Sequence, residues 1–164
     1  MTENSEAEQN PAEPPIVQRL RAWDAKAVAG VSEFRGELTV FVARGDLRRT
    51  AEFLRGESGL DFNFLSDITV QDRFPIEPRF ELNYHLLSIS NRQVVRLRVH
   101  LSGDEPTVDT VASIWPTADW HEREIFDLFG IRFHGHPDLR RILMPDDWEG
   151  YPLRRDYPVE GFRW

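Results

Sequence analysis

Phe80-Glu81-Leu82-Asn83-Tyr84-His85-Leu86 and Val95-Arg96-Leu97-Arg98-Val99-His100-Leu101 decide the fold. Every second side chain in both is apolar. Successive side chains of an extended chain point to opposite faces, so each segment reads as a strand with one buried face. Asn91-Arg92 between them suits a tight turn, which makes the pair a hairpin. Arg96, Arg98 and His100 share the other face, which meets either solvent or a partner.

Upstream, Phe62, Phe64, Ile68 and Val70 place a third strand on the same pattern, and the short apolar run from Leu38 to Ala43 suits a buried fourth. Ile16, Leu20, Trp23 and Ala27 recur at helical spacing, with Gly30 as the stop. Asp46 is a suitable N-cap for a second helix, whose Leu47, Ala51 and Leu54 share a face before Gly56 ends it. Helix, strand, helix and three strands predict an α+β fold: a mixed, mainly antiparallel sheet with helices packed on it.

Downstream, Trp115-Pro116-Thr117-Ala118-Asp119 opens another helix, with Thr117 or Asp119 as its cap. It runs to about Phe129 and stops at Gly130. Ile125, Phe126, Leu128 and Phe129 form one apolar arc, while Arg123 and Asp127 stand opposite at the spacing of an ion pair. Glu122 points into the apolar arc. Two readings are open: Arg140 or Arg141 folds back to neutralise it, or it swings into water at the first turn of the helix. Residues 136–164 are rich in Pro and Arg and poor in apolar side chains, so they read as an extended partner-binding arm that takes its order from another surface. Three parts are thus expected: a disordered acidic tail over 1–15, an α+β docking domain over 16–135, and the arm. The tail's four Glu, three Pro and lack of basic residues do not fit a secretory signal.

Composition narrows the chemistry. With no cysteine there are no disulfides, thiolate metal sites or ordinary iron–sulfur ligation. A net charge of −8 disfavours a sequence-independent grip on nucleic acid. No run reaches the roughly 18 apolar residues of a membrane span. His121-Glu122 begins the zinc pattern H-E-x-x-H, but position 125 is Ile. His134-Gly135-His136-Pro137-Asp138 resembles the start of a metallo-β-lactamase-like signature, yet Leu139 stands where another His belongs. A metal-dependent hydrolase using His134, His136 and Asp138 is therefore the weaker alternative.

The stretch Glu122-Arg123-Glu124-Ile125-Phe126-Asp127-Leu128-Phe129, then His136, Arg140-Arg141-Ile142-Leu143 and the run from Met144 to Pro158, resembles the signature of one family. It is the 30-kilodalton subunit of respiratory complex I, the C-subunit of the bacterial NADH–quinone oxidoreductase. Ala118-Asp119-Trp120 and Phe62-Asn63-Phe64-Leu65-Ser66-Asp67-Ile68-Thr69 fit as well. The resemblance implies a non-catalytic structural subunit of the peripheral arm, on the cytoplasmic side of the cell membrane, which reaches the membrane only through the complex. It implies that the chain itself binds no cofactor, while FMN and iron–sulfur clusters elsewhere in the parent complex carry electrons from NADH to quinone. The D-subunit of complex I is the implied main partner, with subunits B and I nearby. The equivalent subunit of a membrane-bound hydrogenase or ferredoxin-linked complex is the related alternative. Interface residues implied are Glu122, Arg123, Glu124, Asp127, His136, Arg140, Arg141, Trp148, Tyr151, Arg154, Arg155 and Tyr157.

Overall fold

The structure is a computed structural model that describes residues 13–158 and 160. In chain order its elements are α1 (Pro15–Trp23), β1 (Gly30–Phe34), β2 (Glu37–Phe41), α2 (Leu47–Gly56), β3 (Phe64–Asp72), β4 (Phe80–Ser88), β5 (Gln93–Leu101), β6 (Thr107–Asp109), α3 (Ala118–Phe129) and β7 (Arg132–His134). Five strands form one sheet in the order β1-β2-β5-β4-β3, antiparallel except for β2 beside β5. The fold is the α+β arrangement that the alternation predicts.

The β4–β5 hairpin is the centre. Phe80, Leu82, Tyr84, Leu86, Val95, Leu97 and Val99 are all inaccessible to water on one face. Ile16, Val17 and Leu20 of α1 and Leu47, Ala51 and Leu54 of α2 close over them in the same apolar cluster. Each such side chain contributes roughly 1.5–3 kcal/mol through burial. On the other face Arg96 pairs with Glu37, and Arg98 and His100 both reach Glu81. The β6–α3–β7 unit follows, with β6 and β7 parallel, and α3 runs beside β3.

Four expectations need correction. The first helix ends at Trp23, not Ala27, because the Asp24 carboxylate takes the Lys26 amide at 2.9 Å and winds a separate 3-10 turn. Gly30 opens β1, which turns back on β2 through Arg35 and Gly36, both at positive φ. A register shift between Leu65 and Asp67 puts Leu65 on the buried face with Ile68 and leaves Phe64 half exposed, while Phe62 is buried ahead of the strand, so Phe62, Phe64 and Ile68 do not share a strand face. Thr117 makes no cap: its hydroxyl donates to Leu65 O, tying α3 to β3. Of the expected tail, residues 1–12 lie outside the described residues, and Pro15 begins α1.

A candidate docking site on the third helix

Trp115 fixes the start of α3 by donating from its indole to Phe62 O at 3.0 Å. Gly130 ends it at φ 72°, where its amide closes on Phe126 O at 2.9 Å. A side chain there would be strained by the backbone and would lie 2.4 Å from the Tyr151 ring. Only glycine lets Tyr151 lie on the helix end.

Residues 136–158 carry no helix or strand, as their composition predicts. They do not stand away as an extended arm, however. They lie on the chain's own domain, held by charged groups that sequence reading assigned to a neighbour's surface. Asp127 is the centre of this arrangement. One carboxylate oxygen accepts the consecutive amides of Ile142, Leu143 and Met144 at 3.1, 2.8 and 2.9 Å. The other accepts the Arg141 guanidinium at 2.6 Å. Burial pushes the carboxyl up, but the amides of Met144 and Leu143, the Arg141 guanidinium and the Ile142 amide reverse this and hold it below its ordinary range.

Arg141 also donates to Trp148 O and Gly150 O and stacks over Tyr151. Arg123 makes no ion pair with Asp127. Its fork points to Arg140 O and Arg141 O, while its face covers Trp120. Further along, Leu153 N donates to Leu128 O at 3.1 Å and Arg154 Nε to Phe129 O at 2.6 Å. The C-terminal stretch thereby satisfies the carbonyls that α3 leaves open at its end.

A second anchor was not read from the sequence. Arg79 grips both oxygens of Asp72 at 2.9 and 2.7 Å and both of Asp156 at 2.9 and 2.6 Å. Phe74 and Phe80 flank its guanidinium, and the Arg155 amide donates to Asp72 at 2.9 Å. Burial of Asp72 is outweighed by Arg79 and by the Arg155 and Phe74 amides, which hold its carboxyl down at about 2. The available signal was weak: opposite charges seven residues apart, on either side of the β3–β4 turn.

Glu122 is buried without an arginine, so both sequence readings fail. It accepts Thr110 Oγ1 and the Val111 amide, the latter at 2.8 Å, and the His136 ring stands 3.8 Å away. Backbone amides leave no trace in a side-chain pattern, and arginine was therefore the partner expected. The candidate metal ligands diverge. His134 is exposed beside Asp109, His136 is turned inward to Asp119, and Asp138 pairs with Arg140. Among the described residues no group of three His, Cys, Asp or Glu could hold a metal. Glu124, Arg140, Trp148, Arg155 and Leu143 remain at the surface, and Tyr157 is half-buried.

A two-layer α+β domain whose last helix clasps an irregular stretch rich in charged residues is the class that this geometry defines. The chain belongs to the family described as "Respiratory-chain NADH dehydrogenase, 30 Kd subunit", which it matches over residues 40–163. The NADH-quinone oxidoreductase C-subunit of Roseiflexus sp. (strain RS-1) is 48% identical over 144 residues, 88% of this chain and 83% of that protein. That of Geotalea uraniireducens is 46% identical over 145 residues, 88% and 87% respectively. Among solved structures, a trypsin-resistant fragment (1-134) of Nqo5 superposes with a TM-score of 0.62 at 32% identity, covering 76% of this chain and 99% of the fragment. The membrane-bound sulfane sulfur reductase, an archaeal respiratory membrane complex, contains a chain that superposes with a TM-score of 0.73 at 26% identity. That likeness covers 88% of this chain and 84% of the other.

Proposed function

We propose that this chain is a non-catalytic structural subunit in the peripheral arm of a proton-translocating NADH–quinone oxidoreductase, seated on the cytoplasmic side of the membrane. Among the described residues no helix is long and apolar enough to cross a membrane, so attachment falls to neighbouring subunits. The D-subunit is the main partner, with subunits B and I nearby. The chain holds no FMN, iron–sulfur cluster or quinone of its own. Those groups, in other subunits, carry electrons from NADH to quinone.

One observation carries the docking role. Around α3 the charges of Arg123, Asp127, Arg141 and Arg154 are spent inside the molecule, while large apolar side chains are left outside: Trp120 at 62% exposure, Leu143 at 60% and Leu153 at 52%, with Trp148 beside them in sequence. Scattered apolar residues are ordinary on a surface, but aromatic and leucine side chains held on a rigid base make anchors. The proposed contact therefore uses Trp120, Glu124, Arg140, Leu143, Trp148 and Arg155. Glu122, Arg123, Asp127, Arg141, Tyr151 and Arg154 shape it from beneath, and His136 and Tyr157 support its two ends.

The test is affinity purification of the full chain from its own cells. Trp120→Ala with Leu143→Ala should cut the amount of assembled complex severalfold while the purified chain keeps its folded stability. Undiminished assembly, or turnover by the isolated chain, overturns the reading. The similarity to the sulfane sulfur reductase chain favours one alternative, a related membrane-bound respiratory complex with another donor, and the identity of the co-purifying chains separates the two.

A further inference from the structure

One group of titratable side chains is shut away from water beneath the docking surface. Glu122 and Tyr84 have no accessible surface, and neither has the His136 side chain. Asp119 lies at the margin. Charged and polar groups reach Glu122 from every side: Asp119 from α3, Tyr84 from β4, Thr110 from the segment after β6, and His136 from the root of the C-terminal stretch. Among the described residues no arginine or lysine pairs with Glu122. The Tyr84 hydroxyl and Asp119 Oδ1 have no hydrogen-bond partner there.

The His136 ring is fixed at both nitrogens. Nδ1 accepts the Asp138 amide at 3.1 Å, so the ring proton sits on Nε2, which donates to Asp119 O at 3.4 Å. Nε2 also stands 3.2 Å from Asp119 Oδ1 and 3.8 Å from Glu122 Oε2. One imidazole thus faces two carboxyl groups from the first residue of the stretch.

We propose that Glu122 and His136 form a proton-operated latch that fixes the root of the C-terminal stretch to α3. With its proton, Glu122 sits uncharged against Asp119 and Tyr84, and the stretch is closed. When the proton leaves to solvent, a bare carboxylate remains in a dry pocket with only Thr110 and Val111 as donors. Water reaches that charge only where the His136 ring lifts off it. That breaks the Nε2–H···O bond to Asp119 and turns the chain away just before Arg140 and Arg141, whose carbonyls hold Arg123. The latch therefore opens where the arm joins the helix.

Burial, opposed by Thr110 and Val111 and reinforced by Asp119, pushes the Glu122 carboxyl up to about 7 from 4.5. A raised carboxyl favours the folded state below 4.5, and that preference declines as pH rises and is gone above about 7. The latch accordingly loosens as pH rises from 4.5 towards 7, whichever complex the chain joins.

Hydrogen exchange of the full chain from pH 4.5 to 8.5, corrected for intrinsic rates, tests this. Protection of residues 136–144 should fall roughly tenfold for each pH unit between 4.5 and 7 and level off above 7, while β4 and β5 stay protected. Glu122→Gln should abolish that fall. Carbon-13 titration of the Glu122 carboxyl in the unaltered chain should show a midpoint near neutrality, and Asp119→Asn should lower it. A Glu122 carboxyl that titrates in the ordinary range overturns the proposal, even where Glu122→Gln does not fold. So does the same loss of protection in the Glu122→Gln chain.

Discussion

Residues 80–101 and residues 136–158 are of similar length and lie against each other, with Arg154 stacked over Phe80 and Arg79 clasping Asp156. The hairpin buries eight apolar side chains and bonds its backbone strand to strand. The C-terminal stretch has no regular element, and its backbone is held by side chains: Asp127 for three amides, Asp72 for one, and Arg123 and Arg141 for carbonyls. A β-hairpin with a buried face keeps its form through the hydrophobic effect, which is insensitive to pH. The stretch depends on a few ionised groups in fixed places. Each of those is a point at which it can be released while the sheet survives.

The sharpest separation comes from Asp127→Ala. It strands three amides and the Arg141 guanidinium, a loss of about 3–5 kcal/mol by analogy with other broken buried pairs. Hydrogen exchange should show residues 140–151 opening with β4 and β5 still protected, and simultaneous opening of both would erase the distinction. Leu82→Ala probes the other side. A loss of about 3 kcal/mol is expected by denaturant titration, from lost burial and the cavity left behind, with sheet and stretch unfolding together.

Acid acts on the stretch through Asp72. Its folded carboxyl lies at about 2 against an ordinary 3.8, so its stabilisation is complete above 3.8 and fades as pH falls through 2. The difference amounts to about 2 kcal/mol. Asp72→Asn should flatten stability between pH 4 and 2, and an unchanged slope there would show that the anchor does not hold in solution. The smallest effect belongs to Asp156→Ala. This residue pairs with Arg79 from a partly exposed position, so about 1 kcal/mol is expected, shrinking with added salt.

The two regions also differ in how legible they were. Alternation placed β3, β4 and β5, and helical spacing placed α2 and α3, because burial writes itself into side-chain type at a fixed period. β1 was missed: Gly30, Ser32 and Glu33 break the alternation, and the strand exists because Arg35 and Gly36 fold it onto β2. Resemblance singled out the residues of the C-terminal stretch, and the odd place of Glu122 in an apolar arc drew notice to that carboxyl, though neither reading of it held. What those groups touch was not legible. Their partners are largely backbone groups, the amides of Val111 and residues 142–144 and the carbonyls of Phe129, Arg140, Arg141, Trp148 and Gly150, and every residue supplies those alike. The Arg79 anchor was hidden for a related reason, since it depends on a turn bringing Asp72, and the C-terminal stretch bringing Asp156, to one guanidinium.

The parallel seam between β2 and β5 has a consequence for biosynthesis. Val40 sits beside Leu97, 57 residues later in the chain. As the polypeptide leaves the ribosome, the first two strands emerge several seconds before the one they must join, at typical elongation rates of about 5–20 residues per second. Until then their inner side chains and open rim are uncovered, which makes this interval the time at which a nascent-chain chaperone has most to bind.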